Sequence, residues 1–89
     1  MIYQLEIKPS CQNEMRKFCR KNALLQKILE SKMQEILLSP EHYKPLKYDF
    51  AGERRVHIMK SFILKFIIDE NIETIAFIFF GHHDEAYER

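Results

Sequence analysis

The chain has 89 residues and lacks tryptophan altogether. Glycine (2) and proline (3) are scarce, while Phe (7) and Tyr (4) are plentiful, which excludes a disordered or low-complexity chain. Long apolar runs are missing too. The longest is Ile75 to Phe80, far below the roughly 18–20 residues of a membrane helix. The opening residues, Met1-Ile2-Tyr3-Gln4-Leu5-Glu6, show neither the basic nor the long apolar region of a leader peptide. A cytoplasmic location is the expectation. Charge of one sign is absent as well: Lys and Arg total 14 and Asp and Glu 13, for a net charge of +1. That excludes a global basic field. The only two cysteines, Cys11 and Cys19, lie eight residues apart in a helical pattern, about 12 Å along the axis. A disulfide within one helix cannot span that distance. They read as small apolar core residues.

What is present describes one ordinary soluble domain, with 46% hydrophobic and 30% charged residues. A chain of this size buries only about 60–68% of the surface its unfolded form exposes. Its core is thin, so an active site is expected on an open surface. Charge is distributed unevenly. Between His42 and Lys65 lie Lys44, Lys47, Arg54, Arg55, Lys60 and Lys65, opposed only by Asp49 and Glu53. A local basic patch binds phosphate even on a nearly neutral chain.

Ile2 to Ile7 alternate, as in a half-buried strand. Pro9 suits the turn before a helix, and Ser10 is the expected cap. Cys11, Met15, Phe18 and Cys19 then form one helical stripe. Asn22 breaks this helix and caps a second over 23–38, which carries Leu25, Leu29, Met33, Ile36 and Leu37 at helical spacing. Together they predict a helical hairpin. Ser39-Pro40 ends it, and a loop follows to Gly52. Arg54 to Met59 alternates again. Phe62 to Asp69 is apolar on both faces, like an interior strand. Glu70-Asn71 suits a tight turn, Ile72 to Phe80 a last strand, and Gly81 its end. The expected architecture is a four-stranded antiparallel sheet in the order β-α-α-β-β-β, with the helices on one face.

Alternation assigns the open face. Arg55 and His57 point away from the helices if Val56 and Ile58 point toward them. The same rule places Ile63, Lys65 and Ile67, and then Phe77, Phe79, Gly81 and His83, on the open side. A bulge would reverse everything beyond it. Cations, imidazoles and aromatics on an open sheet suit RNA. Cleaving RNA needs a base for the 2′-hydroxyl proton, a cation for the charged phosphorus centre and an acid for the leaving oxygen. No metal or cofactor is called for. His82, His83 and Asp84 invite a metal reading, but adjacent strand residues face opposite ways and do not easily share one ion.

These residues resemble the RelE/ParE superfamily of toxins of type II toxin–antitoxin systems, in particular the YafQ-like branch and its archaeal relatives. The matching stretches are Lys44-Pro45-Leu46-Lys47, Gly52-Glu53-Arg54-Arg55-Val56-His57-Ile58, Phe62-Ile63-Leu64-Lys65-Phe66 and Gly81-His82-His83-Asp84-Glu85-Ala86-Tyr87. The resemblance spans the chain in element order and is densest over 44–87. It implies a RelE-like, microbial-RNase-like α+β fold and a ribosome-dependent mRNA endonuclease held inactive by a cognate antitoxin. His57 and His83 would handle protons or phosphate. Tyr87 matches the terminal aromatic that positions or stacks substrate. Lys44 stands where the YafQ-like branch has a further functional histidine. Lys47, Arg54, Arg55 and Lys65 would bind phosphate. Many relatives have arginine where this chain has Ile63, and Lys65 lies two residues on, on the same face. Ser61 stands where the YafQ-like branch has aspartate.

Blander readings stand beside these. His57 and the Arg54–Arg55 pair could be solvated strand residues, and Tyr87 could fold onto the core. Phe77 and Phe79, if exposed, suit an antitoxin surface better than a base platform. Two rival functions share the fold: a ParE-like inhibitor of DNA gyrase that acts by binding, and a catalytically decayed RNA-binding relative.

Overall fold

The computed structural model describes residues 3–46 and 52–86. Strand β1 (Gln4–Ile7) leads into helix α1 (Pro9–Cys19) and helix α2 (Ala23–Leu38), with a single 3-10 turn at Pro40–His42. Strands β2 (Arg54–Ile58), β3 (Phe62–Asp69) and β4 (Thr74–His82) follow, and a short turn of helix α3 (His83–Ala86) ends the described chain. The fold is α+β, as the alternation and helical stripes predict.

The helices form where local chemistry allows. Pro9 starts α1 with its φ already set, and its missing N–H costs nothing there. The expected Ser10 cap is not used: Ser10 lies inside the helix, and the capping position is Lys8, without a side-chain bond. Lys8 instead donates its N–H to the Phe77 carbonyl at 2.9 Å, which fixes the helix start to β4. Asn22 does cap α2, accepting the Leu25 N–H at 3.0 Å. Replacing Asn22 with Ala is expected to cost about 1 kcal/mol. In a domain of this size that lowers the melting temperature by about 4–8 °C, measurable by circular dichroism, and Asn22→Asp should restore most of it.

The strand order is β1-β4-β3-β2. β2–β3 and β3–β4 are antiparallel, but β1 runs parallel to β4. The sheet is therefore mixed rather than wholly antiparallel. The helical hairpin carries the chain from β1 to β2 at the other edge of the sheet, and the antiparallel β2–β3–β4 run then brings β4 beside β1 in the same direction. The β2–β3 turn begins at Met59, whose φ of 56° takes it out of the strand. The β3–β4 turn runs over residues 70–73. β4 continues through Gly81 to His82 instead of stopping at Gly81.

Cys11, Met15, Cys19, Leu25, Leu29 and Ile36 pack from the helices onto Val56, Ile58, Leu64, Phe66, Ile75, Phe77 and Phe80. Both cysteines are buried and unpaired. Burial pushes the Cys11 thiol up to about 12, so it is an inert packing group.

One irregularity decides which face of β4 carries what. The β3–β4 register shifts between Lys65 and Phe66: Lys65 pairs with Phe79, whereas Phe66 pairs with Phe77. Ile78 is the extra residue. Before it Ile75 and Phe77 face the helices; after it Phe80 does. Phe77 is fully buried in the helix-side core and is no antitoxin surface, contrary to its expected place. Ala76 and Ile78, expected in the core, are only half-buried. Phe79 and Gly81 keep their expected face, because two exchanges of parity, the bulge and the true row, cancel beyond Ile78.

Candidate functional site

The site is built on the far side of the sheet from the helical hairpin. Three strands contribute one row: His57 on β2 pairs with Ile63 on β3, which pairs with Gly81 on β4. Ile63 is fully buried and lines this row between the two edges. Beyond His82 the chain turns into α3, and the His83 N–H donates to the Ser61 carbonyl at 2.8 Å. That bond turns the end of β4 back over the row. The His83 ring consequently stacks on His57, with centroids 5.7 Å apart and planes 20° apart. The two imidazoles expected to share one surface do so, although 26 positions separate them in the chain. Both residues are exposed.

Each ring has a different polar neighbour. Arg55 Nη1 lies 3.5 Å from His57 Nδ1. A guanidinium has only donors, so Nδ1 is the accepting atom of this contact. His83 Nδ1 lies 3.9 Å from the exposed Asp84 carboxylate. The site therefore offers a cation, two imidazoles and an open approach.

Lys44 is exposed, and with Pro45, Leu46 and Arg55, the residue that contacts His57, it lines a shallow pocket. An isolated bridge between Pro45 and Arg54, and the Leu46 N–H to the Glu53 carbonyl at 2.7 Å, fix this segment against the start of β2. Gly52, with φ 92°, makes the turn that a side chain would strain. Lys47 and Tyr87 lie outside the described residues.

Of the other expected site residues, Arg54 sits elsewhere, while Lys65 and Phe79 keep the site's face but lie beneath its surface. Arg54 faces away from Arg55, and its Nη1 donates to the Tyr43 carbonyl at 2.6 Å; it holds the loop. Lys65 shares the site's face of β3 but is only 4% exposed. Its Nζ donates to the Ala86 carbonyl, lies 3.4 Å from a Glu53 carboxylate oxygen and sits 5.5 Å from the Phe79 ring centroid. Phe79 is half-buried beneath it. The Phe79 ring covers Gly81, where an added Cβ would come within 3.0 Å of it. Alternation alone could not show that α3 covers Lys65. A four-residue helix leaves no periodic signal.

His82 packs into an aromatic cluster, stacked on Phe62 at 4.8 Å and edge-on to Phe18 at 5.0 Å. It faces away from His83. Among the described residues no three His, Cys, Asp or Glu side chains come together as a metal-binding set. No helix among them is long and apolar enough to cross a membrane.

No protein-family model matches the chain. A protein of Methanocaldococcus jannaschii named "Putative toxin RelE4" is 40% identical over 88 residues, 99% of this chain and 94% of that protein. The YoeB/ParE toxin from Agrobacterium tumefaciens superposes with a TM-score of 0.81 at 17% identity, covering 90% of this chain and 98% of that one. A chain of the intact E. coli RelBE toxin–antitoxin complex gives 0.75 at 21% identity, covering 98% and 99%. The solved structures share the fold, and the full-length sequence match carries the kinship: the chain belongs to the RelE/ParE superfamily of toxin–antitoxin toxins.

Proposed function

We propose that this toxin is a ribosome-dependent mRNA endoribonuclease that cleaves by attack of the 2′-hydroxyl on the adjacent phosphorus. The observation that carries this reading is the exposed His57–His83 stack beside Arg55. One imidazole takes the 2′-hydroxyl proton as the new O–P bond forms. The other protonates the 5′-oxygen as the old P–O bond breaks. Arg55 and Lys44 stabilise the charge on phosphorus. Tyr87 follows α3 directly in sequence and is assigned to stack or position the substrate base.

A second cationic patch lies on the helix side of the sheet. Arg16, Lys17, Arg20 and Lys21 are all exposed at the end of α1. Phe18, between them, packs edge-on against Phe62 and His82 and so places that end of the helix near the end of β4. A near-neutral protein thus carries a local cationic edge.

The cognate antitoxin is assigned to the cleft between α1 and α2. Its floor includes Ile7, Met15, Leu29 and Met33, and Arg16 and Arg20 line one side. This suits an amphipathic partner helix with acidic flanks. It replaces Phe77 as the expected antitoxin contact.

The test is cleavage of mRNA on programmed ribosomes, with end analysis. The expected products are an upstream 2′,3′-cyclic phosphate and a downstream 5′-hydroxyl, formed only with ribosomes present. Intact mRNA together with stoichiometric loss of DNA supercoiling would instead support a ParE-like gyrase inhibitor. Salt-sensitive RNA binding without cleavage would support a decayed relative, for which the apolar Ile63 is the relevant observation.

A further inference from the structure

Lys65 is the least ordinary residue of the molecule. It occupies the middle of β3, between Arg55 on β2 and Phe79 on β4. A lysine is almost never so fully buried unless paired. Its side chain is 5% exposed and that of Glu53 is 21% exposed. The ammonium touches three things: the Ala86 carbonyl, the Glu53 carboxylate and the Phe79 ring.

Those contacts join the end of α3 to the residue that precedes β2. Helix α3 has four residues, too few to be stable alone. Its last carbonyls have no partner inside the helix, and Lys65 supplies one at Ala86. Its first residue, His83, is held by the Ser61 carbonyl. The helix is thus fixed at both ends, and the site's second imidazole is carried on its first residue. On the other side, Glu53 stands directly before β2, where its backbone carbonyl, separate from the carboxylate that meets Lys65, accepts the Leu46 N–H.

We propose that the buried Lys65–Glu53 pair is a positioning element: Lys65, held by the Glu53 carboxylate, ties the end of α3 to β3 and thereby holds His83 over His57. Its effect on RNA cleavage rests on the nuclease reading above, but the tether itself does not. Neither residue touches substrate. Both act through the histidines.

The experiment uses the full chain with Lys65→Met, which keeps the length and removes the charge. The primary readout is the nuclear Overhauser contact between the His57 and His83 rings, measured on the toxin alone. A folded Lys65→Met protein that has lost this contact is the expected result. On ribosomes, kcat should fall about 10–100-fold with KM unchanged, as for a displaced catalytic group. An intact ring contact in folded Lys65→Met overturns the proposal, as does a rise in KM alone, which would make Lys65 a binding residue. Loss of the contact with cleavage unchanged upholds the tether and overturns the nuclease role of the rings. Glu53→Gln is the second variant. It weakens the same tether without leaving a void, so it decides the matter if Lys65→Met does not fold. A weakened ring contact supports the pair; a wild-type contact overturns it.

Discussion

Replacing His83 with alanine is expected to slow mRNA cleavage by about 10²–10⁴-fold, the range for losing a general acid or base. The same change should leave the melting temperature almost unmoved. The His83 side chain is 51% exposed, and its polar contact to Asp84 is long, at 3.9 Å. Substitutions at such positions rarely exceed about 0.5 kcal/mol. His57→Ala should behave alike, because its ring stacks on His83 at the surface. The two rings are expected to act as a unit. The double variant should then fall little below either single one, since catalytic groups that cooperate are not additive. Parallel melting curves and single-turnover cleavage of the three variants decide this. A large drop in melting temperature would make the rings structural. Full additivity would make them independent phosphate contacts rather than an acid–base pair.

Phe66→Ala is expected to produce the largest loss of stability, about 3–5 kcal/mol. Phe66 is fully buried at the register shift, facing the helices. It packs edge-on against Tyr43 at 5.9 Å and tilted against Phe77 at 6.0 Å. Removing the ring opens a cavity where strand β3, the Tyr43 segment and strand β4 meet. A domain of 89 residues has about 4–13 kcal/mol of stability in total. The variant should therefore unfold at much lower urea, with the slope of the transition unchanged. Phe62→Ala, at a half-buried position, should cost clearly less. Equal midpoints for the two variants would contradict the packing described.

Much of this could be seen in the chain before its structure. The helical stripes of Cys11, Met15 and Cys19 and of Leu25, Leu29 and Ile36 are the ones that bury. Val56 and Ile58 inward with His57 outward follows from period 2 alone. Three features stayed hidden for physical reasons. β1 looks the same whether its partner runs parallel or antiparallel, because alternation carries no direction. The bulge at Ile78 lies within Ile-Ala-Phe-Ile-Phe-Phe, where both faces are apolar and no contrast marks a change of phase. Alternation puts Phe77 on the wrong face for that reason. Lys65 looks like a surface cation by alternation, and only the short α3 folding over it makes it a buried one. The bulge is also why substitutions within β4 should be better tolerated than a one-residue insertion or deletion. A change of length would exchange its core and site faces.

The parallel pairing of β1 with β4 has a consequence for synthesis. Gln4 pairs with Thr74 and Ile7 with Phe77, so the first strand waits for nearly the last. At about 5–20 residues per second, that interval is about 4–14 s on the ribosome. During it the hairpin of α1 and α2 can form, but its apolar face lacks the central strand that covers it. The histidine pair does not exist either, because His83 follows that strand in the chain. On the nuclease reading proposed above, the growing chain therefore has no assembled cleaving face, and the helical surface proposed for the antitoxin is made before it.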